Sequence, residues 1–149
     1  MILLAGCLAG VPTPPSKSNR LLILLNTQNR VDGLLKWAIN NISWVATETP
    51  FLAAMKYNLK SRYEERALPP PVMYGVVGSY DIRVPPPNPN AKMGSGVYTF
   101  ELNSTVDVVL QNANTLTPNN SEIHPWHLHG HDFWILGYGE GVFDPARDM

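Results

Sequence analysis

Apolar and polar positions fall in short blocks along this chain, and most blocks read as strands separated by turns. Residues 20–26 carry a continuous Leu/Ile run. Such a run suggests a strand buried on both faces, although a buried helix gives the same signal. Residues 26–33 read as a turn, and residues 34–45 form a mixed stretch holding Trp37 and Trp44. Residues 50–63 have the one helical spacing, with Phe51, Ala54, Met55, Leu59 and Tyr63 as its stripe. Thr49 is the expected cap and Pro50 the expected first helical position. Glu64-Glu65-Arg66 reads as a solvated face. Residues 68–89 read as a loop in which Pro69-Pro70-Pro71 and Pro85-Pro86-Pro87 favour polyproline conformation. Residues 94–102 and 105–112 read as strands. In the second, Val106, Val108 and Leu110 alternate with Asp107, Val109 and Gln111. A polar loop over 112–121 leads to a last strand-forming region, 123–138, rich in Ile, Trp and Phe. The pattern predicts an all-β domain of antiparallel strands, a Greek-key sandwich with one short helix.

Composition narrows this picture. A chain of 149 residues allows one domain with a sizeable core. Fourteen prolines and eleven glycines favour loops and short strands over long helices. Eleven basic and twelve acidic residues leave a net charge of -1 without a basic tract, so nucleic acid is not an expected partner. The single cysteine, Cys7, can form no internal disulfide and reads as an inert thiol. It lies in an apolar leader, residues 1–11, far shorter than the roughly 20 residues a membrane span needs. The leader also lacks the positive start of a secretory signal. Residues 12–17 are a Pro/Ser-rich linker.

The chemistry concentrates late in the chain. All four histidines lie in His124-Pro125-Trp126-His127-Leu128-His129-Gly130-His131. Imidazole is the commonest neutral metal ligand and suits copper, zinc, iron and nickel. On a strand, His127 and His129 project to the same side, where they could bind two neighbouring metals or share one. His124, held extended by Pro125, faces away from that pair and could serve a different metal. His131 has the parity of His127 and His129, but Gly130 permits a bend between them. Asp132 is placed to orient an imidazole through its second ring nitrogen. A zinc enzyme is disfavoured, because the sequence has neither His-Glu-x-x-His nor Cys-x-x-Cys.

The histidine stretch resembles the third-domain motif of the plant multicopper oxidases, most closely their ascorbate oxidase branch. Further matching segments are Leu24-Leu25-Asn26-Thr27-Gln28-Asn29, Lys36-Trp37-Ala38-Ile39-Asn40 and Ala54-Met55-Lys56-Tyr57-Asn58-Leu59. Gly96-Val97-Tyr98, residues 106–114 and Gly137-Tyr138-Gly139 match as well. The resemblance implies a cupredoxin-like sandwich, with residues 12–149 as a third plastocyanin-like domain incomplete at its C-terminus. It implies copper, with His124 as a type 1 ligand, His127 as a type 2 ligand and His129 as a type 3 ligand. His131 matches a position outside the family's ligand set and, like Asp132, is a candidate for a supporting contact. Trp37 matches the tryptophan that packs against the reducing substrate, where an aromatic face can hold a flat enediol ring. Residues 68–89 depart from the family pattern.

By the same resemblance, electrons pass singly from ascorbate or another small reductant to dioxygen, and the protein is secreted to the apoplast. Sequons at Asn41, Asn103 and Asn119 fit that location. The family's first two domains and its His-Cys-His segment are not in this sequence, and a blue copper site needs a thiolate. The expectation is therefore an oxidase fragment that is inactive alone and needs its missing cupredoxin domains. The alternatives are a non-catalytic copper-binding module and a structural remnant.

Overall fold

The computed structural model describes residues 12–66, 68, 81–85 and 90–148. The leader, Cys7 and most of the proline-rich loop over 68–89 lie outside the described residues. The strands are β1 (Arg20–Val31), β2 (Leu34–Ile39), β3 (Ile42–Trp44), β4 (Glu64–Arg66), β5 (Lys92–Gly94), β6 (Gly96–Tyr98) and β7 (Val106–Asn112). Two short helices, α1 (Phe51–Lys56) and α2 (Pro145–Asp148), and a 3-10 turn at Lys60–Arg62 complete the described elements. The cupredoxin-like, mainly β class with only short helical pieces agrees with expectation.

The pairing pattern does not agree. The five-stranded sheet runs β5-β3-β2-β1-β7 and is mixed. β1 pairs antiparallel with β2 but parallel with β7, and β3 pairs parallel with β5. A second ladder joins β4 to β6, also in parallel. Parallel neighbours need long crossovers, and the strand pattern alone does not reveal which distant segments return beside each other.

β1 is the centre of the large sheet and extends further than its apolar run. The turn expected over residues 26–33 is instead strand as far as Val31. Only Asp32 and Gly33 turn, with φ of 51° and 78°. Positive φ at both central residues is the two-residue hairpin geometry whose twist matches the flanking strands. The β2–β3 hairpin is built the same way on Asn40 and Asn41, with φ of 47° and 69°. The polar half of β1 stays in the sheet with partners for most of its buried polar atoms, Asn29 Oδ1 excepted among the described residues. Asn29 Nδ2 donates to the Thr27 carbonyl and hydroxyl, each at 2.9 Å. Gln28 Oε1 accepts from the Leu116 backbone N–H at 2.9 Å.

The alternate β1 side chains Ile23 and Leu25 form the core with Ile82 and Ala113, and Leu21, Val109 and Phe143 pack around it. Fully burying one such large apolar side chain stabilises by about 1.5–3 kcal/mol.

The predicted helix over 50–63 stops at Lys56. Asn58, with φ of 54°, takes the left-handed position after the helix. The Leu59 N–H then reaches the Ala54 carbonyl and the Asn58 N–H the Met55 carbonyl, a Schellman closure. Pro50 is the N-cap rather than the first helical residue, and Thr49 makes no capping bond. The Thr49 carbonyl instead accepts the Thr47 hydroxyl. The solvated stretch at Glu64-Glu65-Arg66 is strand β4, and the strand expected over 94–102 is two short pieces that end at Tyr98.

Candidate metal centre

The histidine segment does not form the strand expected over 123–138; no residue in that range is in regular structure. Its β-forming residues find no ladder partner among the described residues. Side-chain amides on neighbouring strands hold its two ends instead. Asn112 Nδ2 donates to the Glu122 carbonyl at 2.9 Å, two residues before His124. Asn26 Nδ2 in turn donates to Asn112 Oδ1 at 3.0 Å, across the β1–β7 pair. Beyond the segment, Gln111 Nε2 donates to the Gly141 carbonyl at 3.0 Å, and Gln111 Oε1 accepts from the Phe143 N–H at 2.9 Å. Successive strand residues face opposite sides of a sheet. Gln111 and Asn112 therefore grip the segment from opposite faces of β7, the last strand of the sheet. The histidine segment passes round that edge. Midway, Trp134 Nε1 donates to the Pro12 carbonyl at 2.8 Å, which ties the segment to the linker before β1.

The four imidazoles separate into three environments. His124 is half-buried, and its ring meets Trp37 edge-on with centroids 4.2 Å apart and planes at 67°. The His124 Nε2 atom is buried and has no hydrogen-bond partner among the described residues. His127 and His129 are exposed and approach each other, with centroids 5.3 Å apart and planes at 85°. His131 and Asp132 are exposed beyond Gly130, which has φ of 73°. Among the described residues, no three His, Cys, Asp or Glu side chains converge on one point that could hold a metal ion.

The donor chemistry fits copper: imidazole nitrogens, one shielded and without a hydrogen-bond partner among the described residues and two rings side by side. The described residues supply parts of sites rather than a closed coordination sphere.

Trp37 also lines an open groove of about 260 Å³ on the sheet face that bears Asn26. Trp44, Tyr98, Arg66 and Ile42 form much of the rest of its wall. Trp44 stands on β3, across the hairpin from Trp37, and is 64% exposed. Tyr98 is fixed by Asn40, whose Nδ2 donates to the tyrosine oxygen at 3.3 Å and to the Ile23 carbonyl at 3.0 Å.

Reasoning from sequence passed over the amides of Asn26, Gln28, Gln111 and Asn112 and the groove residues Trp44, Arg66 and Tyr98. The run Asn26-Thr27-Gln28-Asn29, directly after an apolar strand, was the available signal for the first group. Trp44, seven residues after Trp37 and across an Asn-Asn turn, was the signal for the second.

Comparison with known proteins adds an independent line. The multicopper oxidase family profile matches residues 65–149. L-ascorbate oxidase from Cucumis sativus is 58% identical over 139 residues, covering 93% of this chain and 23% of the relative. L-ascorbate oxidase from Cucurbita maxima is 54% identical over 139 residues, with the same two coverages of 93% and 23%. Laccase-9 from Arabidopsis thaliana is 56% identical over 54 residues, which are 36% of this chain and 9% of the relative. The chain thus spans 23% of the length of these two ascorbate oxidases.

Proposed function

The chain belongs to the multicopper oxidase family, and on that premise we propose that it forms part of an L-ascorbate oxidase-like enzyme. In this reading residues 12–149 are the N-terminal part of a third plastocyanin-like domain. His124 serves the type 1 copper, His127 the type 2 copper and His129 a type 3 copper, while His131 and Asp132 give supporting contacts. Bound copper would supply one-electron transfer between the reductant and dioxygen, four electrons and four protons converting each dioxygen to two waters, with His124, His127 and His129 as the ligands from this chain.

The observation that carries the reading is the contact of Trp37 with His124. The indole offers apolar surface to a reductant and lies against the imidazole whose Nε2 is shielded from hydrogen bonding, the two ring planes at 67°. A substrate ring held on Trp37 is therefore one side chain away from His124. The three-residue step from His124 to His127 keeps the two ligand groups close along a single segment, and Pro125 stiffens that step. The amide bonds at Glu122 and Gly141 restrain the segment from outside.

The chain alone does not complete turnover in this reading, since the described residues close no copper site. Catalysis belongs to the longer protein, with ascorbate or a related small reductant and dioxygen as substrates and the other cupredoxin domains as partners. The longer protein is extracellular. Its sequon asparagines Asn41, Asn103 and Asn119 all stand at positive φ in turns.

Titration of the purified chain with Cu(II) tests the proposal. Copper is expected to bind through imidazole nitrogens, and His127→Ala with His129→Ala together should weaken binding at least tenfold, about 1.4 kcal/mol. No strong blue absorption should develop, because that colour needs a copper–thiolate bond. Ascorbate-dependent oxygen uptake should not exceed that of the same concentration of free Cu(II). Failure of imidazoles to bind copper, or a strong blue band, would overturn this assignment. The exposed His127–His129 pair also suits a second reading, a copper-binding module without turnover. Oxygen uptake by the assembled longer protein that survives loss of both histidines would favour it.

A further inference from the structure

We propose that Arg66 makes the groove beside Trp37 a binding site for a planar organic anion, with the guanidinium holding the charge and the indoles of Trp37 and Trp44 holding the ring. Its role in turnover rests on the function proposed above; the binding itself does not.

Three observations converge. First, Arg66 is the one charged side chain among the described residues lining the groove, whose other walls are mainly aromatic and aliphatic. The ion pairs found among the described residues, Arg62 with Glu48 and Arg147 with Asp148, do not involve it. Second, the position of Arg66 is built in. A Cβ on Gly96 would lie 2.2 Å from Arg66 Cδ and 2.8 Å from its Cγ, so only glycine lets the arginine stem lie flat across β6. Third, the head group is supported from one side. The Arg66 Cζ stands 5.7 Å from the centroid of Tyr98, the residue opposite it in the β4–β6 pair. Asn40 fixes the Tyr98 hydroxyl and so holds that ring in place. A guanidinium held on an aromatic face keeps its donor edge free for a carboxylate or enolate oxygen.

The geometry also selects a class of ligand. The groove is lined by two tryptophans and a tyrosine, which favours a flat ring over a flexible chain. The described lining carries one cation and no anion, the nearby Glu64 carboxylate lying against Gly94 outside it, which favours a monoanion over a neutral phenol. The enediol lactone of ascorbate, deprotonated near neutral pH, has this shape and charge. A neutral phenolic reductant would gain the aromatic contacts and lose the ionic one. Arg66 would thus set the preference between two reductants that the indole of Trp37 alone cannot separate.

The test uses the full chain, metal-free in the presence of a chelator and without oxygen. L-ascorbate is titrated while the indole N–H resonances and fluorescence of Trp37 and Trp44 are followed. The uncharged 3-O-methyl ether of ascorbic acid serves as the neutral probe. Ascorbate is expected to perturb both indoles, and Arg66→Gln to raise its Kd about fivefold or more, given a partly exposed charge. Arg66→Gln should leave the weaker binding of the methyl ether unchanged. Gly96→Ala, which displaces the arginine, should reproduce the loss, and circular dichroism shows whether each variant is folded. The unaltered chain gives a reading independent of any variant: its ascorbate affinity should fall as salt is raised, while that of the methyl ether should not.

Equal affinity for the two probes, an unchanged Kd in folded Arg66→Gln, or no perturbation of either indole would overturn the proposal. The copper titration above reports separately. Copper binding without ascorbate binding removes the anion site and leaves the oxidase reading standing. Ascorbate binding without copper binding does the reverse.

Discussion

His124 shows how much of a residue's position is set by groups distant in sequence. Its spacing from His127 and His129 along the chain was legible in the sequence. Its ring contact with Trp37 was not, because that contact depends on β1 lying between β2 and β7. The contact has a direct consequence for spectroscopy. With centroids 4.2 Å apart, the indole should shift the His124 ring protons, and Trp37→Leu should return them to ordinary values while leaving those of His131 alone. Proton NMR of the chain measures this, and unshifted His124 resonances in the parent would refute the contact.

Asn112 makes the other residue-scale case. Asparagine in a strand usually reads as a weak point, yet here it bridges β1 to the backbone just before the first histidine. Asn112→Ala is expected to cost about 1 kcal/mol, the net worth of such bonds at an exposed site. Hydrogen exchange should quicken over 122–131 while β1 and β7 keep their protection. Unchanged exchange in that range would show that the amide does not restrain the segment.

Among the elements, the presence of β7 was legible from its alternation but its buried face was not: Val108 and Leu110 are exposed, while Val109 packs on the core and Gln111 is buried. The second half of β1 was not legible, because a polar run reads as a turn unless the partners of its side chains are known. Residues 123–138 err in the opposite sense: their composition suits a strand, but no neighbouring backbone among the described residues completes one. The turns carry their own prediction. Gly33 has open space around a virtual Cβ but stands at φ of 78°. Gly33→Ala should therefore cost about 1–2 kcal/mol through backbone conformation alone, read as a lower denaturation midpoint with no change in the Trp37–His124 contact.

The closing helix α2 gives a pH prediction. A hydrogen bond from Arg147, then one from the Asp144 N–H, lowers the Asp148 pKa to about 2. Because the folded value is depressed, the tie is fully present above the unfolded value near 4 and is lost as pH falls toward 2. Titration of the Asp148 carboxyl by NMR checks it, and an ordinary carboxylate midpoint would contradict it. The carboxyl is only partly buried, so the expected change is local fraying of α2.

For the molecule as a whole, the main fact is apolar surface. Leu128, Phe133, Trp134, Ile135 and Leu136 are all exposed along the histidine segment, and Leu35, Trp44, Val108 and Leu110 are exposed on the sheet. Contiguous apolar surface on this scale marks an interaction site or a tendency to aggregate. The isolated chain should bind apolar dyes, associate as concentration rises, and unfold near ambient temperature. A monomer by sedimentation with a cooperative transition well above ambient temperature would refute this.

The parallel seam between β1 and β7 adds a constraint of timing. It joins residues 86 positions apart, such as Asn26 and Asn112, so it forms only after a long stretch of chain has been brought round. Until then the four imidazoles sit on loose polypeptide, free to wrap any copper that is present. Afterwards His124 is already lodged against its indole and can no longer join the other three. Metal supplied during refolding and metal supplied to the finished protein should therefore end on different ligand sets, and the order of addition becomes a variable in any reconstitution.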